Sequence, residues 1–533
     1  MAGKLRKDAG VIGLLFAGVG GMIGSGWLLG PLHAAQQAGP LSIGSWAIAA
    51  FVVGLLALIY AELAPMFPRS GGVVHMSHVT HGMLLGRIWT WILFLAYVTI
   101  PPVEAMAVVN YANNYIPGLI KSDGLLTGTG LIVSLVLLAM MVGFNFLAVK
   151  LVLAINTVAT WIKLATPIGT ILVFMAISHH TSNLAVAGHG GDAGMFTAIS
   201  TAGVFFALFG FRQAIDLAGE TDNPGRNLPI AVLGTIAIGT VVFIVLQYAF
   251  VTAIPHGDVL KSGWGNLSYA GASGPFAGLA VLLGASWWAA VLYVDAIVSP
   301  GVCGFIWSTT TSRVIMAAGE TGDAHESMTK VSENGSPWVA LIVTYVIGVI
   351  FFLPLPSWQK MVSYASAATV LSYGIGPIVL LRMRAISPNN PHRSFRLPFA
   401  GVLAPAGFIA ANFVVFWSGF STVDFMFLLL LGVCVIYGIY AFGIKREATF
   451  AAELPHFWWL APYFGGLWLL SLIGPTSMGG IGLLSIYADM AVIAVFSLGI
   501  MKLALATAVP DHNSATYYYG EVLQLEGVAP AAA

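Results

Sequence analysis

Apolar residues arrive in long runs along this chain, and polar and charged residues are confined to the short stretches between them. Fourteen such runs follow one another, at 11–33, 41–66, 85–116, 128–146, 151–178, 195–219, 228–254, 276–316, 337–354, 360–382, 401–419, 423–444, 456–475 and 483–505. About 20 apolar residues at a rise of 1.5 Å cross a bilayer, so each run predicts a membrane helix. The pattern as a whole predicts an all-α polytopic membrane protein. Two runs break the pattern. Gly18-Val19-Gly20-Gly21-Met22-Ile23-Gly24-Ser25-Gly26-Trp27 packs the middle of the first run with glycine, and Gly203-Val204-Phe205-Phe206-Ala207-Leu208-Phe209-Gly210-Phe211-Arg212 adds an arginine to the sixth. Glycine lets a helix unwind, and an unwound segment at membrane depth must be buried in protein or line a watery cavity. Glycine also permits a tight helix–helix contact, which needs no break. The first stretch alone leaves these readings open. Paired interrupted segments, however, point to the binding site of a transporter.

Composition agrees with the pattern. Of 533 residues 58% are hydrophobic and 8% charged, with zero formal net charge. Soluble domains carry about 25% charge. No basic stretch suggests nucleic acid. Cys303 and Cys434, the only two cysteines, both lie in apolar runs and predict neither a disulfide framework nor a metal site. Lys4, Arg6 and Lys7 near the start read as the cytoplasmic lead into the first span and not as a cleaved leader. Threading fourteen spans from an inside N-terminus puts sixteen lysines and arginines inside and only Lys121, Lys261 and Lys360 outside; Lys163 and Arg212 stay within the membrane, which accounts for all 21. By the positive-inside rule both termini are cytoplasmic.

Three inside loops carry recognisable strings: Tyr60-Ala61-Glu62-Leu63 with Phe67-Pro68-Arg69-Ser70-Gly71-Gly72, then Ala218-Gly219-Glu220-Thr221-Asp222-Asn223-Pro224-Gly225-Arg226, then Ser312-Arg313-Val314 with Ala317-Ala318-Gly319-Glu320-Thr321-Gly322. With Ile23-Gly24-Ser25-Gly26, these resemble the signatures of the amino acid–polyamine–organocation superfamily of secondary transporters. The resemblance covers spans 1 to 12 in order and spacing, and the fourteen-span texture is most similar to bacterial aspartate–proton symporters of that superfamily. It implies a 5+5 inverted-repeat fold in which helices 1 and 6 unwind around a central site. The transport core is thus expected at 1–445, in the cell membrane; two added helices at 446–510 and a cytoplasmic tail at 511–533 lie outside the resemblance.

An unwound stretch followed by a half-helix offers free N–H groups and a positive dipole end, suited to a carboxylate. At the first break this falls to Gly24, Ser25 and Gly26, next to Met22 and Ile23. By similarity to the family pattern, the carbonyls of Met22, Phe206, Ala207 and Phe209 would take the substrate ammonium, and Phe206 and Phe209 would act as lids; an aromatic in a membrane helix is otherwise simply packed. Lys163 lies mid-span in the fifth run, where a charge costs about 3 kcal/mol or more. Desolvation favours the neutral amine, so such a lysine can exchange a proton. In proton-coupled relatives a lysine of this helix stands where others bind sodium, which makes Lys163 the expected coupling group.

Arg212 departs from the family pattern, which often has an acidic or small residue there. One reading is two-pronged recognition of a substrate side-chain carboxylate; the other is an internal pair with Asp216, with Glu220 further along the same stripe. Glu104, after Pro101-Pro102, and Asp295, on a face with Ser299, are intramembrane acids and so candidates for proton coupling or for pairing with Arg212 or Lys163. An Asp295 facing the cavity without Arg212 would favour a cationic substrate. His75, His78 and His81 predict a solvated amphipathic loop helix and not a metal site.

The expected function is thus a proton-coupled symporter of acidic amino acids, its partners the substrate, protons and the lipid bilayer, without cofactor, metal or nucleic acid, and with room for a homo-oligomer. An exchanger, or a carrier of cationic or neutral amino acids, is the alternative within transport. An enzyme would want a Gly-x-Ser-x-Gly, His-Glu-x-x-His or phosphate-cradling loop, and a channel a filter or rings of identical residues; the sequence has neither.

Overall fold

The computed structural model describes residues 9–147, 149–268, 274–354, 357–439 and 450–523. The N-terminal Lys4, Arg6 and Lys7, the expected core boundary at 445 and the end of the tail lie outside the described residues. Each of the fourteen apolar runs carries helix among its described residues. Among the described residues nine helices are long and apolar enough to cross a membrane, ten if a pair bent by 42° is one span; Val11–Met22, Trp338–Phe351 and Phe420–Val435 are apolar but shorter.

The first run is two helices, α1 (Val11–Met22) and α2 (Ser25–Ala38), separated at Ile23-Gly24. After a one-turn 3₁₀ segment at Gly39–Leu41 comes α3 (Ser42–Leu63). Gly39 has φ +59, and a Cβ there would stand 2.8 Å from the Gly188 backbone, so the turn requires glycine. Next are α4 (Gly72–Val98), α5 (Ile100–Ala112), α6 (Gly128–Gly143) and α7 (Val149–Ile177). The sixth run is broken too: α8 (Gly191–Thr201) ends before Gly203 at φ +88, a 3₁₀ segment covers Phe206–Phe211, and α9 (Arg212–Asp216) follows. Then come α10 (Pro224–Ala253), α11 (His256–Ser262), α12 (Pro275–Leu282), α13 (Ser286–Glu320), α14 (Trp338–Phe351), α15 (Trp358–Tyr373) and α16 (Ile375–Ile386). The chain closes with α17 (Ala400–Trp417), α18 (Phe420–Gly438), α19 (Phe450–Phe457), α20 (Leu460–Ile473), α21 (Ile486–Thr507) and α22 (Asp511–Tyr517).

The helices are amphipathic in the inverted, membrane sense. On α7 the polar side chains Asn156, Thr160, Lys163, Thr166 and Thr170 are buried with Ile171 and Phe174, whereas Trp161, Ile162 and Leu172 face outward. On α13 Asp295 and Ser299 are buried, and Trp287, Val294 and Ile297 are exposed. Lipid solvates the apolar outer face, and the polar stripe finds partners only inside.

Both ends of the described chain sit on one face of the bundle, the terminal face. There Ala9 and Thr221 form a backbone bridge, and Glu220 pairs with Arg313 at 3.0 Å. Glu62 takes Arg384 at 2.6 Å and Arg393 at 3.0 Å. The segment from α22 folds back here: the Tyr518 hydroxyl donates to the Met66 carbonyl at 2.9 Å and accepts from Asn390 at 2.9 Å.

The three histidines correct the sequence reading. His75, His78 and His81 are buried in α4, not solvated. His78 pairs with Asp323 at 3.2 Å, and His81 with the Ala504 carbonyl at 2.8 Å. Helices downstream of position 300 cover the face that a local pattern leaves to water. Burial pushes the Asp323 carboxyl up, but His78 and the hydrogen bonds from His78, Thr321 and Thr90 outweigh it and hold the group below its ordinary value.

Candidate functional site

The two broken runs meet at the centre. A Cβ on Gly210 would lie 2.1 Å from the Gly18 carbonyl, and one on Gly26 would lie 2.8 Å from the Ala207 side chain. Both readings of the first glycine stretch therefore hold, at different residues. Gly18, Gly20 and Gly21 admit Thr235, Asn156 and Gln213 from neighbouring helices, each closer than any Cβ allows, while the helix breaks at Ile23-Gly24.

The groups freed by the first break have internal partners. The Ile23 N–H still reaches the Val19 carbonyl at 2.9 Å, and the Gly24 N–H folds onto the Met22 carbonyl at 3.1 Å. The Gly20 carbonyl accepts from Lys163 Nζ at 2.5 Å, and the Gly21 carbonyl accepts from Trp307 Nε1 at 2.8 Å and Cys303 Sγ at 3.3 Å. On the other side of the break, the Ser25 N–H at the start of α2 donates to Glu104 Oε2 at 2.7 Å. Glu104 reaches it because α5 begins anew after the Thr99 turn and Pro101-Pro102. Its Oε1 is buried without a hydrogen-bond partner among the described residues.

Lys163 thus lies beside helix 1, within electrostatic reach of Cys303, Glu104 and Asp295. Asp295 is buried, and neither its oxygens nor the Ser299 hydroxyl has a hydrogen-bond partner among the described residues.

The second break is a tight 3₁₀ segment and not an open strand, so Phe206, Ala207 and Phe209 are wound more closely than the family pattern implies. Phe209 packs on Phe206 and Trp307, and its carbonyl accepts from the Tyr373 hydroxyl at 3.3 Å. Arg212 lies in the next turn, fully buried, its guanidinium 4.4 Å from the centre of the Tyr373 ring, 5.1 Å from that of Tyr60 and 5.6 Å from that of Tyr97. One nitrogen donates to Ser372 Oγ at 3.3 Å; Nε and Nη2 have no partner among the described residues. Arg212 makes no ion pair with Asp216 within 4.0 Å but stays within its electrostatic reach, and Glu220 pairs with Arg313 instead of extending an Arg212 stripe. Among the described residues no cluster of three histidines, cysteines or acids could hold a metal.

Pattern reading missed Trp307, Cys303, Tyr60, Tyr97, Tyr373 and Trp358. No local signal separates these from the other residues of their kind in apolar runs, since each acts on a residue more than 100 positions away.

Residues 10–473 match the profile of the amino acid permease family. The chain belongs to that family. It is 34% identical over 514 residues to the aspartate-proton symporter of Bacillus subtilis (strain 168), an alignment covering 95% of this chain and 98% of the relative. It is 35% identical over 508 residues to the glutamate/serine transporter AimA of the same organism, covering 93% of each. The branched-chain amino acid permease BcaP of that bacterium is 25% identical over 462 residues, covering 82% of this chain and 94% of the relative. As an amino acid permease with many apolar helices, the protein is a multi-pass membrane transporter and not an enzyme.

Proposed function

We propose that this permease is a proton-coupled symporter of acidic amino acids, working by alternating access around the breaks of helices 1 and 6. The observation that carries the substrate class is Arg212, a buried guanidinium beside the second break with two donors free among the described residues. A buried cation left so is costly, and a carboxylate is the ligand that matches its fork. The α-carboxylate would compete with Glu104 for the Ser25 N–H, and a side-chain carboxylate would reach Arg212 past Phe209. The printed names of the two relatives near 35% identity, an aspartate-proton symporter and a glutamate/serine transporter, agree with this class. Lys163, bridging the Gly20 carbonyl to the neighbourhood of Glu104 and Asp295, is the coupling group. Losing its proton weakens its hold on helix 1, which ties protonation to the position of the break. The proton gradient supplies the energy, and no cofactor enters.

The reading extends to a 5+5 inverted repeat within about fourteen spans, a core at 1–445, two added helices at 446–510 and a tail at 511–533. It places the protein in the cell membrane with cytoplasmic termini, so that the terminal face is the inner one. A carrier of cationic amino acids is the second reading, favoured by the unpartnered carboxylate of Asp295. Uptake into proteoliposomes separates the two. Radiolabelled aspartate, driven by an inward proton gradient without sodium and abolished by a protonophore, is expected; arginine uptake under the same conditions, without aspartate uptake, would overturn the acidic assignment.

A further inference from the structure

On the face opposite the chain ends, a glycine-rich turn joins α20 to α21, beyond the residues that the family profile matches. Thr476, Ser477, Gly479 and Gly482 of this turn are exposed. Asp489 follows in the first turn of α21 and is buried. Neither of its carboxylate oxygens has a hydrogen-bond partner among the described residues, and no basic side chain pairs with it there.

The end of α20 fixes the surroundings of this group. A Cβ on Gly474, which caps α20, would lie 2.7 Å from Asp489 Oδ2, 3.3 Å from the Leu470 carbonyl oxygen and 3.1 Å from the Phe416 ring of α17. The carboxylate is therefore pressed against the carbonyl end of that helix. The turn answers part of this end: the N–H groups of Ile481, Gly482 and Leu483 donate to the carbonyls of Leu472, Gly474 and Ile473 at 2.8, 2.8 and 3.0 Å. It passes over Ser471, because Pro475, four residues on, has no N–H to give.

A carboxylate and the carbonyl end of a helix are both negative, so burying them together is unfavourable unless a positive charge joins them. The N-terminus of α21 favours the carboxylate but offers it no hydrogen bond. Oxygen ligands of this kind suit a hard cation. One carboxylate balances one charge, and among the described residues no group of three histidines, cysteines or acids could hold a metal of higher charge. We propose that Asp489, with the carbonyls of Leu470 and Ser471, binds a monovalent alkali cation such as sodium, admitted through the exposed turn. The cation ties the start of α21 to the end of α20, and Phe416 links that junction to α17.

Thermal unfolding of the purified full-length protein tests this, in sodium, potassium or N-methyl-D-glucamine chloride at one ionic strength and without amino acid. The parent is expected to unfold about 2 °C or more higher in at least one alkali salt than in the organic salt, with a shift that saturates as the alkali ion is raised. Asp489→Asn keeps the shape, removes the charge and is expected to lose this dependence while unfolding in the organic salt no lower than the parent. Gly474→Ala, whose Cβ would displace the carboxylate, is expected to lose the dependence as well. A parent with the same midpoint in all three salts would make Asp489 a protonated acid and overturn the proposal. A full shift retained in both variants would place the cation elsewhere and overturn it too. The site stands apart from both breaks and does not rest on the symport reading, so a wrong substrate class would appear in uptake and leave this measurement intact.

Discussion

The two breaks solve the same problem in opposite ways. At the first, every freed group that the structure describes as bonded is met from within the protein: Gly20 by Lys163, Gly21 by Trp307 and Cys303, Ser25 by Glu104 and Trp358. At the second, the backbone stays wound in a 3₁₀ turn and a charged side chain, Arg212, is left with donors to spare. An internally satisfied break must exchange partners to bind anything, so it is suited to coupling. An under-satisfied charge gains by binding, so it is suited to selection. In the proposed symporter the first break would sense protons and the α-amino acid group, and the second would read the side chain.

Replacing Lys163 breaks this contrast most severely. Lys163→Ala is expected to abolish proton-driven accumulation of aspartate while binding persists; accumulation at the wild-type level in a proteoliposome assay would remove Lys163 from the mechanism. Arg212→Ala comes next. Losing a charge-assisted hydrogen-bond pair of about 2–3 kcal/mol corresponds to a rise of about 30- to 150-fold in KM for aspartate, with little change for alanine. Equal losses for both substrates would mean that Arg212 holds the tyrosine cage and reads no side chain.

Glu104→Gln keeps an oxygen for the Ser25 N–H but removes the charge. A neutral acceptor competes less well with a substrate carboxylate by about 1 kcal/mol, so aspartate should bind about fivefold more tightly. Calorimetry reads the change, and weaker binding of aspartate would argue against the competition. Tyr373→Phe is the mildest change. It removes the hydroxyl that holds the Phe209 carbonyl, an effect of about 0.5–1.5 kcal/mol on stability, and a thermal-shift measurement should find a small loss with selectivity between aspartate and alanine retained.

Much of this arrangement was legible in the order of residues. Long apolar runs admit one backbone solution in lipid, so helices were predictable, and the glycine-rich and arginine-bearing runs are among those that the structure breaks. Lys163 stood out because a lone cation mid-span needs a reason. The histidines of α4 did not yield to pattern, since their cover comes from Asp323 and Ala504, far along the chain. The spacing of Arg212 and Asp216 left a pair and a free guanidinium equally open, and the fold keeps the two within electrostatic reach without a hydrogen bond between them.

The sequence by itself determined the class of protein, the helical runs, two of the places where helix continuity fails and the scarce charges at membrane depth. These follow from local composition, because the cost of burying a polar group in lipid is paid residue by residue. Only the tertiary structure decided which group answers each freed N–H or carbonyl. Glu104, Trp307 and Trp358 lie 79, 286 and 333 positions from the break residues they bond. Their pairing depends on which helices pack side by side, a property of the assembled bundle that no single run contains.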